Sequence, residues 1–260
     1  MRWLGSPLPA LEFLTTLRLH QVPVRGADEV ARSLWAFPLV GALIGLALFG
    51  IERGGRELAP EAAVAPFVVL GWIVLTGGLH LDGVADSADG LFGGRDRAQR
   101  LSIMHDVQSG SWGVIAVVMV LLTKVGLVIA LAEEGRFAAL LLAPVVARGL
   151  VVGAMAATPY ARESGYGKAL HASARGAAAV VAVAIALAGA GVLLDAEGLV
   201  VVVWGVAVVA ALAAYARRQV GGLTGDIDGA LIEVLEVATL LAIVVGLEQD
   251  WLGPLLWNGG

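Results

Sequence analysis

Three aspartates in the first half of the chain have the residue type and the spacing of a metal site. Asp82, Asp86 and Asp89 lie at positions i, i+4 and i+7, so a helix would place them on one face. Carboxylates at this spacing repel one another unless a cation neutralises them. Oxygen ligands of this kind suit Mg²⁺ or Mn²⁺. We therefore predict that these three residues bind Mg²⁺.

The alternative interpretation is a solvated acidic loop. Glycines and apolar residues lie between and just after the three aspartates, and this composition favours a tight, packed segment. A fourth acid, Asp106, precedes the next apolar run. If the chain folds back here, Asp106 could complete the metal shell or accept a proton from a hydroxyl group. Its neighbour His105 is ambiguous, because a lone histidine in a loop is more often solvated than catalytic.

Basic residues further along the chain could bind phosphate. Arg162 and Lys168 lie in a glycine-containing turn, which can offer backbone N–H groups and side-chain donors to an anion. The alternative is a basic loop that only sets the membrane topology. Arg148 lies in the middle of an apolar run, where a charge is rare and usually faces a polar cavity or a partner. We predict that all three cations neutralise phosphate.

A third polar cluster lies near the C-terminus and contains Asp226, Asp228, Glu233 and Glu236. Thr224 and Asp226 would suit the N-cap of a helix, which is a structural role. Four acids within eleven residues indicate more than capping. The Asp-x-Asp-Gly sequence lacks the downstream ligands of an EF-hand loop, so we exclude that motif.

Carboxylates that hold a metal and cations that bind phosphate fit metal-assisted phosphoryl or phosphodiester transfer. In such a reaction, Asp106 or Asp226 would orient or deprotonate the attacking hydroxyl group. Both residues remain open for this role.

The elements that position these residues are predicted to be membrane helices. The chain has 260 residues, 58% of them hydrophobic, and no cysteine, which excludes disulfides and thiolate metal sites. We predict an all-α, polytopic membrane bundle in a single catalytic domain, 1–260. Seven apolar runs indicate spans near 33–51, 62–81, 112–131, 137–157, 177–194, 198–215 and 230–247. The fifth and sixth runs could instead pack as a tight hairpin.

Basic residues are distributed unequally between the two sides of this predicted bundle. One side carries 12 lysines and arginines and the other carries 3. This split places the first side in the cytoplasm and the C-terminus outside. An N-terminal segment, 1–32, would be interfacial, although its stretch 8–19 suits a packing helix equally well. The predicted cytoplasmic active-site loops are 82–111, 158–176 and 216–229.

Three segments resemble the cobalamin synthase family. They are residues 79–96 (LHLDGVADSADGLFGGRD), 159–167 (PYARESGYG) and 222–230 (GLTGDIDGA). The likeness runs in order over most of the chain, and the first segment is highly specific. The resemblance implies a Mg²⁺-dependent enzyme of the bacterial cytoplasmic membrane that joins adenosylcobinamide-GDP to α-ribazole or its 5′-phosphate and releases GMP. This reaction assembles the nucleotide loop in cobalamin biosynthesis.

The resemblance also implies roles for individual residues. Asp82, Asp86, Asp89 and Asp106 would hold one or two Mg²⁺ ions on the diphosphate. Arg95 would join the other predicted cations in substrate binding. His105 and Asp228 depart from the family pattern, so no role is transferred to them. The expected partners are the two substrates and the lipid bilayer, without nucleic acid; a homo-oligomer is compatible with the sequence.

Two other functions compete with this prediction. A CDP-alcohol phosphotransferase shares the start of the aspartate motif, but Arg95 comes too late for its usual spacing. A small cation or proton-coupled transporter would use the charges inside the spans, namely Lys124, Arg148, Glu233 and Glu236. The transporter leaves the aspartate segment without a role.

Overall fold

The computed structural model of the chain describes residues 5–18, 26–131, 133–250 and 252, except for the side chains of 133–135. Within these ranges the elements are helices and no β-strand occurs, so the predicted all-α class is confirmed. The α-helices are α1 Leu8–Leu14, α2 Ala27–Ala31, α3 Phe37–Arg56, α4 Glu61–Thr76, α5 Leu79–Gly93, α6 Arg97–Ile103, α7 Ser111–Ala130, α8 Glu133–Ala157, α9 Tyr166–Ser173, α10 Ala179–Leu194, α11 Gly198–Val220 and α12 Gly225–Glu248.

Five of the described helical stretches are long and apolar enough to cross a membrane, and the bent pair α4 and α5 makes a sixth if it counts as one span. The stretch Tyr166–Val220 contains both the fifth and the sixth predicted spans. These are α10 and α11, which contact each other across a turn at Asp195. The two helices therefore pack against each other as a hairpin, which was the alternative prediction for these two runs. With five or six candidate spans, the chain is a polytopic membrane protein.

Exposed apolar side chains cover much of the bundle surface. On α7, for example, Val114, Val118 and Leu122 are all about half exposed or more. A soluble monomer rarely exposes an apolar patch of this extent. Exposed apolar side chains of this extent agree with the assignment to membrane proteins.

The second predicted span differs from the structure in a way that matters for the aspartate segment. The helix α4 ends at Thr76, and two successive glycines, Gly77 and Gly78, adopt φ values of 65° and 70°. Glycine adopts this left-handed conformation without steric cost. The chain turns by 91° and continues as α5. The predicted loop 82–111 is consequently mostly helical, as α5 and α6, and the predicted loop 158–176 contains α9.

At the N-terminus, α1 buries Ala10 and Leu14 completely. Its last residues contact α3 through the stacked rings of Phe13 and Phe37. The first helix therefore packs on the bundle, and the interfacial position of segment 1–32 stays a prediction. Residues 19–25, which also belong to the predicted interfacial segment, lie outside the described residues.

Among the described helices, α3 and α8 form the most extensive contact. This contact depends on two glycines of α3 that lie one turn apart. A side-chain carbon at Gly45 would lie 2.7 Å from the carbonyl oxygen of Leu140, and one at Gly41 would overlap the backbone of Pro144. Such contacts need small residues because the two backbones approach each other closely.

Gly41→Val is expected to destabilise the protein by about 1–3 kcal/mol, because the new side chain must push two packed backbones apart. Gly50→Val in the same helix is the matched control, since the space around Gly50 is empty within 4 Å. Unfolding midpoints in detergent micelles compare the two variants. Equal midpoints would show that the loss comes from β-branching in a helix and not from the contact with α8.

Candidate active site

The helix α5 carries the aspartate segment and packs directly on the start of α12. The contact is close because Gly83 faces the α12 backbone: a side-chain carbon at this position would lie 2.5 Å from the carbonyl oxygen of Asp226. Alanine would not fit there without moving backbone. This contact brings the first and third predicted polar clusters together, although more than 130 residues separate them in the sequence.

Asp82, Asp86 and Asp226 form what we call the carboxylate cluster. Asp82 is exposed, and Asp86 and Asp226 are partly buried. The helix α5, which carries Asp82 and Asp86, is not one of the five described stretches that are long and apolar enough to cross a membrane by themselves. Burial and then the neighbouring carboxylates of Asp82, Asp226 and Asp89 raise the pKa of Asp86 to about 6. Negative charge is therefore concentrated here beyond what the nearby cation, Arg162, neutralises.

Arg162 is the cation that the structure places at this cluster. Its guanidinium group donates a hydrogen bond to a carboxylate oxygen of Asp226 at 2.7 Å. Both side chains are about one-quarter exposed, so a ligand can reach them. Two predicted residues from separate loops, Arg162 and Asp226, thus form one pair.

Backbone hydrogen bonds between two loops hold this pair in place. Ala161 N donates to Leu223 O at 2.7 Å, and Leu223 N donates to Pro159 O at 2.9 Å. Arg97 closes the arrangement from α6, donating to the carbonyl oxygens of Val220 and Ala161, both at 2.8 Å. From the sequence alone, Arg97 is only one of the 12 basic residues on the predicted cytoplasmic side. No local pattern reveals that its partners are carbonyl oxygens on two distant loops.

Asp89, the third residue of the predicted triad, has a different environment from Asp82 and Asp86. Its two carboxylate oxygens accept hydrogen bonds from the backbone N–H groups of Gly110 at 2.6 Å and Gly113 at 2.8 Å. These groups belong to the first turn of α7, where a helix leaves N–H groups without partners and favours negative charge. Asp89 therefore caps α7 from a neighbouring helix, and we leave it out of the proposed metal site.

Asp89→Ala is expected to lower the free energy of unfolding by about 1–2 kcal/mol, the usual cost of a lost helix cap. The cause is that two backbone N–H groups of α7 lose their acceptor. The unfolding midpoint measures this effect, and Asp96→Ala, which removes the cap of the short exposed helix α6, is the comparison. Lost turnover at an unchanged midpoint would contradict the capping role and restore Asp89 as a metal ligand.

Asp106 and His105 lie in the same cavity wall as Arg162. Together with Arg162, Ser164 and Gly165, they line an open cavity of about 770 Å³ between α6 and the turn before α9. Both residues are exposed, and a carboxylate oxygen of Asp106 accepts a hydrogen bond from Gln108 N at 3.1 Å. We call this space the loop cavity. Asp106 shares it with Arg162, which also pairs with Asp226 of the carboxylate cluster.

Two of the predicted substrate-binding cations are exposed. Lys168 donates to the carbonyl oxygen of Glu163 at 2.6 Å, so its ammonium group stays with the turn that also carries Arg162. Arg95 follows the end of α5, and its backbone N–H donates to the side chain of Gln99. Their roles in substrate binding stay predictions.

Arg148 is fully buried and belongs to a cluster of charges inside the bundle. It donates to a carboxylate oxygen of Glu236, whose other oxygen accepts from Lys124. Lys124 also pairs with Glu233 at 2.6 Å and lies 4.2 Å from the ring centre of Trp72. Charges in this position require compensation. Because Arg148 has 0% exposure, we remove it from the proposed phosphate site.

The donor set of the carboxylate cluster fits Mg²⁺. Among the described residues, no three acidic, histidine or cysteine side chains are arranged to hold a metal ion by themselves. Mg²⁺ is usually bound by one or two carboxylates together with water and substrate phosphates, and not by a cage made of protein alone. The carboxylate cluster offers only oxygen donors, and its exposed and partly exposed side chains leave room for substrate phosphates. It therefore meets this requirement.

A buried pair includes Asp228, two positions after Asp226 of the carboxylate cluster. His171 on α9 and Asp228 on α12 share a hydrogen bond of 2.9 Å, and the ring of Tyr160 packs against His171. Asp228, to which the family pattern gives no role, is thus held by a histidine. The pairing could not be found from the sequence, because His171 and Asp228 lie 57 positions apart with no shared motif.

Comparisons with known proteins show the family of the chain. The model of the family described as cobalamin-5-phosphate synthase matches residues 6–244. An adenosylcobinamide-GDP ribazoletransferase from Pseudomonas putida is 41% identical, and the alignment covers 92% of this chain and 98% of that protein. Proteins with the same name from Pseudomonas fluorescens and Pseudomonas savastanoi are 39% and 40% identical, each over 91% of this chain and 97% of their own.

No solved structure matches the chain significantly. The family match covers nearly all of the sequence and includes α5, the turn with Arg162 and the start of α12. The chain therefore belongs to the cobalamin-5-phosphate synthase family.

Proposed function

We propose that this chain is an adenosylcobinamide-GDP ribazoletransferase, which joins adenosylcobinamide-GDP to α-ribazole or its 5′-phosphate and releases GMP. The observation that carries the proposal is the contact of α5 with α12, which brings Asp86 and Asp226 together beside Arg162. Relatives that carry this activity in their name align with the chain over more than 90% of its length.

Asp82 and Asp86 are the residues that would hold Mg²⁺, with the substrate diphosphate supplying further oxygen ligands. When bound, Mg²⁺ supplies neutralisation of the phosphate charge that develops as GMP leaves. Arg162 is placed to contribute to the same neutralisation from the protein. Asp106, which lines the loop cavity together with Arg162, is a second candidate for contact with the metal or with the guanosine diphosphate part of the substrate.

Asp226 is the group that we propose for the acceptor hydroxyl. In the reaction, a ribazole hydroxyl oxygen forms a bond to the phosphorus linked to cobinamide, and the bond from that phosphorus to GMP breaks. The hydroxyl proton moves to a carboxylate oxygen of Asp226, and GMP leaves with the bonding electron pair. Arg162 and Thr224, which both contact Asp226, fix its orientation.

We also propose that the protein lies in the bacterial cytoplasmic membrane with the carboxylate cluster facing the cytoplasm. The uneven distribution of basic residues between the two sides supports this orientation. The nucleotide substrates are on that side.

Turnover by the purified protein tests the function. The detergent-solubilised chain is incubated with adenosylcobinamide-GDP, α-ribazole and Mg²⁺, and the release of GMP is measured together with the joined product. We expect both products in equal amounts and none after chelation of the metal. CMP release from CDP-linked lipid precursors would favour the phosphotransferase alternative. Ion flux into proteoliposomes without turnover would favour a transporter.

A further inference from the structure

A groove on the surface of the bundle has α12 as its floor and α7 and α11 as its walls. Glu233 of α12 pairs with Lys124 of α7 at 2.6 Å. On another side of α12, Leu235 lies 3.7 Å from a side-chain carbon placed at Gly205 of α11. Successive residues of a helix point about 100° apart, so one stripe of α12 lies between these two directions. Its members are partly buried or exposed: Val234, Val237, Leu241 and Val245. We call this space the lateral groove.

Aromatic side chains line one wall of the lateral groove and close one end of it. On α11, Trp204, Ala211 and Tyr215 lie at i, i+7 and i+11, so they share one exposed face. The ring of Phe92, at the end of α5, lies 6.5 Å from that of Tyr215 and 5.5 Å from that of Trp112 on α7. Phe92 thus bridges the gap between the two walls, and the exposed face of α11 turns toward the groove.

The three bridging rings mark the level of the membrane surface. Trp112 is the second residue of α7, and Tyr215 lies close to the end of α11; both helices belong to candidate membrane spans. Tryptophan and tyrosine are enriched at the boundary between lipid and water because their rings are amphipathic. The rings of Phe92, Trp112 and Tyr215 are 58%, 51% and 37% exposed, so lipid can reach them.

Arginines surround the same end of α11. Arg218 follows Tyr215 by three positions, so it lies one turn beyond the ring on a neighbouring part of the same face, and it is exposed. From α6, Arg97 and Arg100 donate hydrogen bonds to the last carbonyl oxygens of α11. Asp96, an exposed acid in this region, caps α6. Positive charge therefore lies just beyond the level of the rings.

This order of groups matches the parts of a phospholipid. A floor of valine and leucine suits an acyl chain, and the aromatic rings suit the glycerol region above it. Arginine forms charge-assisted hydrogen bonds with phosphate. A zwitterionic headgroup would bring a second cation close to these arginines, whereas an anionic headgroup would not.

We propose that the lateral groove binds an anionic phospholipid, with an acyl chain on the α12 stripe, the glycerol region beside Phe92, Trp112 and Tyr215, and the phosphate on Arg218. The surface lies outside the carboxylate cluster, and the inference does not depend on the proposed function. Phe92 is part of α5, so the bound lipid would contact the helix that carries the aspartate segment.

Fluorescence quenching can locate the lipid, because the chain has no cysteine and a single one can be labelled. Ala211→Cys carries a bimane label on the groove face of α11. Vesicles contain equal amounts of phosphatidylglycerol and phosphatidylcholine, and only one of the two has brominated acyl chains. We expect brominated phosphatidylglycerol to quench the label about fivefold more strongly than brominated phosphatidylcholine does, the preference that one arginine near an anionic headgroup provides.

Ala210→Cys is the control for general contact with lipid. Position 210 is also exposed, but it points away from the groove face of α11, so both brominated lipids should quench a label there equally. Arg218→Gln should remove the preference at position 211. Arg217→Gln makes the same change in charge at the adjacent exposed residue, which points to the other side of α11, and should keep the preference.

Three results would overturn the inference. Equal quenching at position 211 by the two lipids would show that the groove does not select an anionic headgroup. Equal effects of Arg217→Gln and Arg218→Gln would show that net charge attracts the lipid and that no site exists at Arg218. Quenching by neither lipid would show that protein, such as a second copy of the chain, covers this face. The comparison of positions 210 and 211 decides even if Arg218→Gln does not fold.

Discussion

Asp86→Asn is expected to lower the rate of GMP release about a thousandfold, while the protein still folds and inserts into the membrane. Asp86 lies at the centre of the carboxylate cluster, where burial and three other aspartates raise its pKa to about 6. The substitution removes one charge from this crowded site and weakens the proposed metal ligand set. Metal ions contribute several kcal/mol to phosphoryl transfer, and each 1.4 kcal/mol corresponds to about tenfold in rate.

The stability of the Asp86→Asn variant should equal or exceed that of the wild type, because repulsion within the cluster falls. Initial rates of GMP release and the unfolding midpoint are measured on the same preparation. Asp195→Asn is the matched control: it makes the same chemical change at an exposed turn between α10 and α11. Normal turnover by Asp86→Asn would refute the assignment of this residue to the reaction.

Glu236→Gln is expected to destabilise the folded protein by about 3–5 kcal/mol, the cost of leaving a buried charge without its partner. Glu236 is fully buried and accepts hydrogen bonds from Arg148, Lys124 and the indole N–H of Trp72. Without its charge, Glu233 is the remaining carboxylate opposite two cations. The variant should melt at a lower temperature in detergent micelles and accumulate at a lower level in the membrane.

Two further variants test this explanation. Glu248→Gln makes the same change at the exposed end of the same helix and should melt as the wild type does. Adding Lys124→Met to Glu236→Gln leaves one cation and one carboxylate, so part of the stability should return. A wild-type midpoint for Glu236→Gln alone would show that the buried charges are not coupled as the structure indicates.

The buried charges also bear on the transporter alternative. Lys124, Arg148, Glu233 and Glu236 do lie together inside the bundle, as that alternative requires. They neutralise one another, and the cavity beside them has a volume of only about 10 Å³. This is about the space of a single water molecule. The cluster therefore stabilises the packing of α7, α8 and α12.

Several features follow from the sequence because they depend on local patterns. Apolar runs of about 20 residues predict membrane helices whatever their neighbours are, and most of their bounds agree with the helices to within a few residues. The spacing of Asp82, Asp86 and Asp89 predicted a shared helix, and the three residues do lie on α5. The resemblance to the family in three segments supplied the substrates, which spacing alone does not reveal.

Other features depend on which helices meet, so no local pattern in the sequence predicts them. The contact of α5 with α12 separated the predicted triad: Asp86 faces Asp226, whereas Asp89 faces the N-terminus of α7. Arg148, by contrast, is fully buried and pairs with Glu236 inside the bundle. The physical reason is that the energy of a charge depends on its partners and its burial, and these are set by residues far away in the chain. Local patterns thus indicate the membrane helices, the family and the aspartate segment, whereas contacts between distant residues set which charges lie at the proposed site and which lie inside the bundle.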